Sequence, residues 1–295
     1  MKLNTRVKEL SNLKFAILLM SPVVIFLLLI IIYPLFYSLV ISFQRVTVLG
    51  GFQTLFIGTK NYIDLLRSSD VWYGTFISIR FTAESVIFTI LIGLGISLAL
   101  SKVEKGKGLI RSLVILPWAV SSYGAGVIFR YFWRGHSGLP TALAYLFGIE
   151  KRVSMLDQHT VEALAIGQAW RFAPLVAFFL LANLEVIPSG LYNMAKIDHL
   201  GAFKEFFYVT LPYLRYTLFV FTTIVVVFSL REFDFIFTQT GGGPGFASSV
   251  LPYQIYKSSF IDLNLGYGAA MSFYLLILIF LVALLLFFVW GRREA

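Results

Sequence analysis

Residues 15–43 read "FAILLMSPVVIFLLLIIIYPLFYSLVISF" and contain no charged side chain. A helix needs roughly 20 apolar residues to cross about 30 Å of hydrocarbon, so this stretch is long enough to span a bilayer. It is also longer than the apolar region of a secretory signal peptide, and no small-residue cleavage site follows it. The stretch therefore predicts a first transmembrane helix that stays in the membrane.

The composition of the whole chain leads to the same conclusion. Hydrophobic residues make up 58% of the 295 residues and charged residues only 13%, against about 45–50% and about 25% in soluble domains. A soluble domain cannot hide this much apolar surface from water, so lipid must be the solvent. The chain has no cysteine, and its histidines (His136, His159 and His199) are too scattered to predict a metal site. We expect no metal or cofactor in this chain.

Six segments have the length and apolar character of membrane-spanning helices. They are residues 15–43, 71–100, 109–131, 161–184, 216–237 and 266–290. The predicted fold is therefore an all-α polytopic membrane protein, in which the whole chain forms a single transmembrane domain.

Lysine and arginine are distributed unevenly between the two sides of these spans. The two termini and the loops on their side hold 13 of them, whereas the longer loops on the other side hold 7. Because cytoplasmic loops carry the excess of basic residues, both termini are predicted to be cytoplasmic. The same distribution accounts for the net charge of +9, and no nucleic-acid partner is expected.

A polar loop, residues 188–212, separates the fourth and fifth predicted spans on the cytoplasmic side. Ser189 is a candidate N-cap for a short helix. Leu191, Met194 and Ala195 then recur at helical spacing on one face. The sequence therefore predicts a helix within the loop.

A second short helix is expected after Gly201, which can interrupt the first. Phe203, Phe206 and Phe207 form its apolar stripe, and Pro212 is expected to break the connection to the fifth span. Two interpretations of the pair of helices stay open. They lie flat on the lipid headgroups, or they dock their exposed stripe into a groove of a soluble partner.

The spacing of this loop resembles the cytoplasmic EAA loop of permease subunits from binding-protein-dependent, ATP-driven (ABC) importers. The matching residues are Tyr192, Ala195, Asp198, Phe206, Val209, Leu211 and Pro212. Five more segments resemble the carbohydrate-uptake, maltose-type branch of that family: "SPVVIFLLLIIIYPLFYSLVISF", "FIGTKNYIDLL", "ILPWAV", "TGGGPG" and "LGYGAAMS". They occur in the expected order, and the resemblance covers nearly the whole chain.

The resemblance implies a permease in the inner membrane of a prokaryote that translocates a sugar or related polyol by alternating access. It implies four partners: a second, related permease, two cytoplasmic ATPases that use ATP and Mg²⁺, and an extracytoplasmic solute-binding protein. The loop would carry a coupling helix that docks in a groove of an ATPase. The residues expected to couple to the ATPase are Leu191, Tyr192, Met194, Ala195, Asp198 and Gly201.

Three positions depart from the family pattern. Asn193 and Met194 stand where Glu and Ala are usual, and His199 stands where Gly is usual. Because histidine lacks the easy access of glycine to positive φ, the turn after the coupling helix is expected to move to Gly201.

The chain shows no sign of its own catalytic chemistry. It has no G-x-x-x-x-G-K-[ST] sequence to bind the phosphates of ATP. It also has no grouping of side chains typical of a catalytic site, so it is predicted not to be an enzyme.

Ionisable residues inside the spans cost about 2.5–3.5 kcal/mol each by insertion scales and need a partner or a wet cavity. Arg80 and Glu84 lie four residues apart in the second span and can pair. Arg171 lies near the middle of the fourth span, with Gln168 one turn before it. Arg171 either lines a solute cavity or makes a tertiary bond, for example to Glu84.

The family resemblance places Gln168, Arg171, Ser229 and Glu232 along the substrate path. The partner of Arg171 then bears on the charge of the solute. An unpaired Arg171 favours an anionic or phosphorylated solute, whereas pairing with Glu84 or Glu232 favours a neutral polyol.

Two other function classes have different sequence requirements. An ion-coupled secondary transporter would need coupling acids near the midplane and usually an internal repeat. Glu84 is the only candidate acid well inside a predicted span, and the spans show no convincing duplication. An integral membrane enzyme would need catalytic groups clustered at one interface.

Overall fold

The computed structural model describes residues 12–47, 53–135, 137–149 and 153–290. Its helices, numbered in chain order, are α1 (Asn12–Leu27), α2 (Tyr33–Ser42), α3 (Lys60–Arg67), α4 (Ser69–Ser101), α5 (Lys107–Val114), α6 (Leu116–Ala119), α7 (Ser122–Phe132), α8 (Leu139–Leu146), α9 (Met155–Gln158), α10 (Thr160–Val186), α11 (Ser189–Ile197), α12 (Ala202–Glu205), α13 (Leu211–Leu230), α14 (Asp234–Gln239), α15 (Leu251–Tyr256) and α16 (Leu265–Val289). The other elements are π-helical turns at Leu28–Ile32, Phe206–Thr210 and Lys257–Ile261, and an antiparallel hairpin of β1 (Gln44–Thr47) and β2 (Gln53–Phe56). His136, residues 150–152 and the terminal residues 1–11 and 291–295, which entered the metal and orientation predictions, lie outside the described residues.

Long apolar helices dominate the structure. Within the described ranges, five helical segments are long and apolar enough to cross a membrane: Lys14–Ser42, Ser69–Ser101, Thr160–Val186, Ala202–Leu230 and Leu265–Val289. A bent pair of segments, Lys107–Ala119 and Ser122–Phe132, makes a sixth span if it is counted as one. The predicted all-α polytopic architecture is confirmed, and the short hairpin is an element that the sequence did not predict.

The third span is broken, which differs from the single helix predicted over residues 109–131. Pro117 lies in the first turn of α6, where its missing N–H cannot continue the hydrogen bonding of α5. Val120 then adopts an extended backbone, and Ser121 Oγ caps α7 by accepting a hydrogen bond from the N–H of Gly124 at 3.1 Å. The two halves of the span meet at an angle of 93°.

The fifth span ends earlier than predicted. The sequence indicates a helix over residues 216–237, but α13 ends at Leu230 and α14 begins after a short non-helical link. The Glu232 carboxylate in this link, one residue before the N-cap Phe233, accepts a hydrogen bond from the N–H of Phe235 at 3.1 Å and so stabilises the new helix start. The link places a charged side chain at a break in the span.

The start of the fifth span corrects the expectation that Pro212 breaks the connection to the preceding loop. Helical backbone runs without interruption over Ala202–Leu230. A π-helical turn precedes Pro212 and is closed by a hydrogen bond from the N–H of Leu211 to the carbonyl of Phe206. Because Pro212 falls in the first turn of α13 after this wider turn, its ring and its missing N–H are accommodated. The loop is therefore mechanically continuous with the fifth span.

α4 and α10 make the most extensive contact between two helices in the described part of the chain. The buried side of α4 carries mostly small and hydroxyl-bearing residues, among them Thr75, Ser78, Thr82, Ser85, Thr89, Gly93 and Ser97. Small residues let two helix backbones approach closely in a membrane. At Gly93, an added Cβ would lie only 3.0 Å from the side chain of Val176. These two helices form the centre of the bundle.

The first and last spans lie on the outside of the bundle. In each span, the burial of its most apolar stretch shows where the span lies. No residue of this stretch is buried in Lys14–Ser42, and only 6% of its residues are buried in Leu265–Val289, compared with 72% in Thr160–Val186. Apolar helices of this length exposed on the bundle surface face lipid or another membrane helix.

A charged cluster ties α4 to α10. Arg80 Nε donates to Glu84 Oε1 at 2.8 Å, which confirms the pair predicted from the four-residue spacing. Arg80 Nη2 also contacts Glu162 Oε1 of α10 at 2.5 Å, a partner that the sequence did not indicate. Arg80 contacts one carboxylate oxygen of Glu84, and among the described residues Glu84 forms no ion pair with Arg171.

α14 packs against both α7 and α10. Gly126 makes the first contact possible, since an added Cβ would lie 1.8 Å from Thr238 Oγ1 and 2.7 Å from the carbonyl oxygen of Phe235. Gly167 makes the second possible, because an added Cβ would lie 2.5 Å from the ring of Phe235. The two glycines therefore let α14 approach both neighbours.

Gly126→Ala is expected to lower the apparent melting temperature of the purified protein. The added methyl group collides with a backbone oxygen that cannot move without α14, and overpacking of this kind costs about 1–3 kcal/mol. Thermal denaturation followed by tryptophan fluorescence measures the effect. Gly95→Ala is the control, because no atom lies within 4 Å of its added Cβ and alanine favours the helix. Equal melting temperatures for the two variants would contradict the close approach of α7 and α14.

Candidate functional site

Three of the residues predicted to line the substrate path meet in a buried polar cluster. Gln168 and Arg171 lie one turn apart on α10, and Glu232 lies in the link between α13 and α14. Arg171 Nη1 donates to Gln168 Oε1 at 3.1 Å and to Glu232 Oε2 at 3.3 Å. Gln168 is fully buried, and Arg171 and Glu232 are each 8% exposed. Of the partners left open by the sequence, Glu232 is therefore the one that Arg171 uses.

Ser122 completes the cluster, although the sequence did not single it out. Its Oγ accepts a hydrogen bond from Arg171 Nη2 at 2.6 Å. Ser122 is the first residue of α7 and Glu232 lies in the link before α14, so Arg171 ties α10 to the third and fifth spans at their breaks. The serine pair after Pro117 is typical of a helix start, but no sequence pattern indicates its contact with α10. We call Ser122, Gln168, Arg171 and Glu232 the Arg171 cluster.

A cavity of about 320 Å³ lies beside the cluster. Its walls are formed by Ser122, Arg171, Phe172, Phe228, Arg231, Glu232, Phe233 and Asp234. Two cations and two anions are balanced in this lining, so its net charge is zero. The Arg171 guanidinium carbon lies 5.3 Å from the centroid of the Phe172 ring. Hydrogen-bonding groups beside aromatic rings can hold a hydroxyl-rich solute through its hydroxyls and its apolar ring faces.

Ser229 is separate from this cavity lining. It is 2% exposed, and its hydroxyl has no hydrogen-bond partner among the described residues. Its carbonyl accepts a hydrogen bond from the N–H of Glu232 at 3.2 Å. The structure therefore brings Gln168, Arg171 and Glu232 together and places Ser229 one turn away.

The loop over residues 188–212 is the one that the family resemblance predicts to carry a coupling helix, and we call it the coupling loop. Its first helix begins one residue earlier than predicted. Ser189 was expected as the N-cap of its first helix, but it is the first residue of α11, and Pro188 holds the N-cap position. The extended backbone of Pro188, with φ −59° and ψ 128°, fits the N-cap, and no side chain caps the helix.

The turn after α11 lies at His199, which corrects the expectation that it moves to Gly201. His199 has φ +52°, whereas Gly201 is extended. The N–H of Leu200 donates to the carbonyl of Ala195 at 2.9 Å, and the N–H of His199 donates to the carbonyl of Lys196 at 3.1 Å. These two bonds form a Schellman motif, which requires the left-handed conformation at residue 199 whatever its side chain.

One part of the coupling loop packs inward. Ala195 is 3% exposed and Leu191 is half-buried. The hydroxyl of Tyr192 lies 3.2 Å from Thr210 Oγ1, which joins α11 to the π-helical turn of the fifth span. These contacts connect the loop directly to a membrane helix.

The other part of the loop is exposed. Met194 is 62% exposed, although its spacing predicted the same face as Ala195. Asp198 and Gly201 are also exposed. Ile197 and Phe203 add apolar side chains that are 75% and 77% exposed. An exposed apolar surface on a polar loop is typical of an interaction site.

The arrangement as a whole favours transport. Within the described residues, no group of three or more His, Cys, Asp or Glu side chains is placed to hold a metal ion. Broken spans surround a buried polar cluster and a cavity, and an exposed loop of short helices connects directly to one span. These features are typical of a membrane transport protein.

Comparison with known proteins identifies the family. The family model described as binding-protein-dependent transport system inner membrane component matches residues 91–292, which is more than half of the chain. The chain belongs to this family, and it is a multi-pass permease subunit of an ATP-driven importer.

Three known proteins illustrate the similarity. The trehalose/maltose transport system permease protein MalF of Thermococcus litoralis is 31% identical over 278 residues, covering 92% of this chain and 92% of that protein. The sulfoquinovosyl glycerol transport system permease protein SmoG of Agrobacterium fabrum is 29% identical over 269 residues, covering 91% and 87%. A bacterial ABC transporter involved in the import of the acidic polysaccharide alginate shares the fold, with a TM-score of 0.79 over 95% of both chains at 18% identity.

Proposed function

We propose that this permease carries a neutral sugar or related polyol through the membrane by alternating access. The observation that supports the proposal is the Arg171 cluster, where Glu232 compensates Arg171 beside a cavity lining of zero net charge. One similar permease is named for trehalose and maltose, and the same fold serves import of an acidic polysaccharide. The charge of the solute must therefore follow from the residues of this chain.

The proposed path contains Gln168, Arg171, Ser229 and Glu232. Arg171 has five N–H donors, and three donor contacts are made within the cluster, to Gln168, Glu232 and Ser122. The remaining donors are available to solute hydroxyls when the helices rearrange. Because Glu232 already neutralises the guanidinium, an anionic solute gains less here than it would from an unpaired arginine.

Uptake by the complete importer in proteoliposomes tests this function. The importer is reconstituted with its second permease, two ATPases and solute-binding protein, and a neutral sugar is compared with the matching uronic acid. We expect ATP-dependent accumulation of the neutral sugar, after correction for the affinity of the binding protein for each solute. Equal transport of the uronic acid would overturn the proposed substrate class. Uptake driven by an ion gradient without ATP would instead support the secondary-transporter alternative.

We further propose that the coupling loop docks on an ATPase subunit, which uses ATP and Mg²⁺ in place of this chain. Met194, Ile197 and Phe203 offer exposed apolar side chains, as expected for a short helix inserted into a groove. Lys196 and Lys204 lie on the same two helices and give the surface a polar border. The second permease and the external binding protein complete the proposed assembly.

The proposed orientation, with both termini in the cytoplasm, predicts a labelling pattern. The chain has no cysteine, so a single introduced cysteine reports its own side of the membrane. Lys105→Cys, at an exposed residue in the loop between α4 and α5 and outside the proposed docking surface, should react with a membrane-impermeant maleimide only in inside-out vesicles. Phe246→Cys, at a residue that is 55% exposed in the loop after α14, is the matched control and should react in intact cells. The opposite pattern would overturn the orientation.

A further inference from the structure

A polar pocket of about 530 Å³ lies at the end of the bundle opposite to the coupling loop, away from the Arg171 cluster. It occurs where α2 ends and where α4 and α16 begin, so it lies at the level at which three spans leave the membrane. Its walls come from β1, α3 and the turn that precedes α16. Arg45, Lys60, Asp64 and Asp262 are the charged residues in this wall. We call it the interfacial pocket.

The backbone around the interfacial pocket is held firmly. Asn61 is 6% exposed, and its Nδ2 donates to the carbonyl of Ser42 at 2.8 Å and to the carbonyl of Gln44 at 3.0 Å. Gly266 of α16 lies so close to the same strand that an added Cβ would be 2.0 Å from the Gln44 carbonyl oxygen. β1, α3 and α16 are thereby fixed relative to one another, and the pocket is formed before any ligand binds.

The charges of the interfacial pocket are balanced and unused. Within the part of the chain that the structure describes, Arg45, Lys60, Asp64 and Asp262 take part in no ion pair and no side-chain hydrogen bond. These four side chains are exposed to solvent. Two cations and two anions on one concave surface match a ligand that carries both charges. An anion alone would leave the two aspartates without a partner.

The position of the pocket indicates the source of such a ligand. Leu35, Phe36 and Val40 of α2 and Leu276 of α16 are exposed apolar residues on the helices that lead to it. A molecule with acyl chains along these helices would place its polar head at the level of the pocket. A soluble zwitterion would leave this apolar surface unused.

We propose that the interfacial pocket binds the headgroup of a zwitterionic phospholipid that carries a primary ammonium group. Arg45 and Lys60 bind the phosphate, and Asp64 and Asp262 accept hydrogen bonds from the ammonium group. Phosphatidylethanolamine has this chemistry. Phosphatidylcholine has the same charges, but its quaternary ammonium cannot donate a hydrogen bond.

Native mass spectrometry of the purified, delipidated importer tests the proposal. The complex is titrated with phosphatidylethanolamine, phosphatidylcholine and phosphatidylglycerol. We expect phosphatidylethanolamine to bind about tenfold more tightly than phosphatidylcholine, as one or two charge-assisted hydrogen bonds allow. Asp64→Ala/Asp262→Ala, which removes both acceptors, should abolish this preference, and Arg45→Gln/Lys60→Gln should weaken binding of all three lipids. Lys102→Gln/Lys105→Gln, beyond the far end of α4, is the control and should change nothing.

Several outcomes would overturn the proposal. The proposal fails if the wild-type protein binds the two zwitterionic lipids equally. It also fails if the preference for phosphatidylethanolamine survives in Asp64→Ala/Asp262→Ala. Competition by free O-phosphoethanolamine at the same concentration as the lipid would make the ligand a soluble zwitterion. Loss of affinity for the solute-binding protein in these variants, with lipid preference intact, would make the pocket a protein contact. All these readouts are independent of the transported solute.

Discussion

Ala195→Pro should abolish ATP-driven uptake while the protein remains in the membrane. Residue 195 lies inside α11, so proline removes a backbone N–H and places its ring against the carbonyl of Leu191, at a cost of about 3 kcal/mol or more. A helix of 9 residues cannot absorb this cost, because short helices are marginally stable on their own. Since Tyr192 joins α11 to the start of the fifth span, melting α11 should disconnect this span from the proposed ATPase contact. We expect uptake to fall about 100-fold or more.

The control introduces the same residue at a position of the same helix that tolerates it. Ser189 is the first residue of α11, where the N–H has no partner within the helix, and Pro188 before it is already extended. Ser189→Pro should therefore retain near-normal uptake. This variant shows whether a proline anywhere in the loop is harmful or only one that breaks α11.

Two further measurements separate uncoupling from misfolding. The amount of Ala195→Pro protein in washed membranes should match the wild type, because every predicted span is unchanged. In the purified complex, ATP hydrolysis stimulated by the binding protein should no longer be accompanied by transport of the solute. Wild-type uptake by Ala195→Pro, or an equal loss in Ser189→Pro, would refute the coupling role of α11.

Hydropathy predicted the spans well because burial in lipid depends on the average character of about 20 residues and little on their partners. The breaks were missed because they depend on single residues. Ser121 caps α7 and Glu232 stabilises the start of α14 through contacts of a few ångströms, which an average over a window cannot detect. Pro212 led to the opposite error. The sequence predicted a break at this residue, but a π-helical turn accommodates the proline without one.

The sequence predicted which charged residues belong to the candidate site, but it did not predict how they contact one another. The cost of an ionisable group in a membrane identified Arg171 from the sequence alone. Its partner stayed open, because Glu84 and Glu232 are both distant in sequence and only the packing of the spans decides between them. Ser122 was missed for the same reason, since its role follows from the bend in the third span.

Arg171→Met and Glu232→Gln are each expected to destabilise the purified importer. Each leaves one buried charge without its ionic partner, and breaking a buried ion pair in this way costs about 3–5 kcal/mol. Glutamine at position 232 keeps an oxygen that can accept the hydrogen bond from the N–H of Phe235, so the start of α14 is retained. The apparent melting temperature and ATP-driven uptake should therefore both fall in each single variant.

The double variant Arg171→Met/Glu232→Gln tests whether the two charges stabilise the protein as a pair or independently of each other. Removing both charges leaves no uncompensated charge, so its melting temperature should exceed that expected from adding the two single effects. Uptake should remain low, because the cavity has lost the donors offered to the solute. Arg231→Met is the control, since Arg231 is an exposed cation of the same cavity outside the cluster. If the three melting temperatures were simply additive, or if Arg231→Met were as harmful as Arg171→Met, Arg171 and Glu232 would not act as a pair.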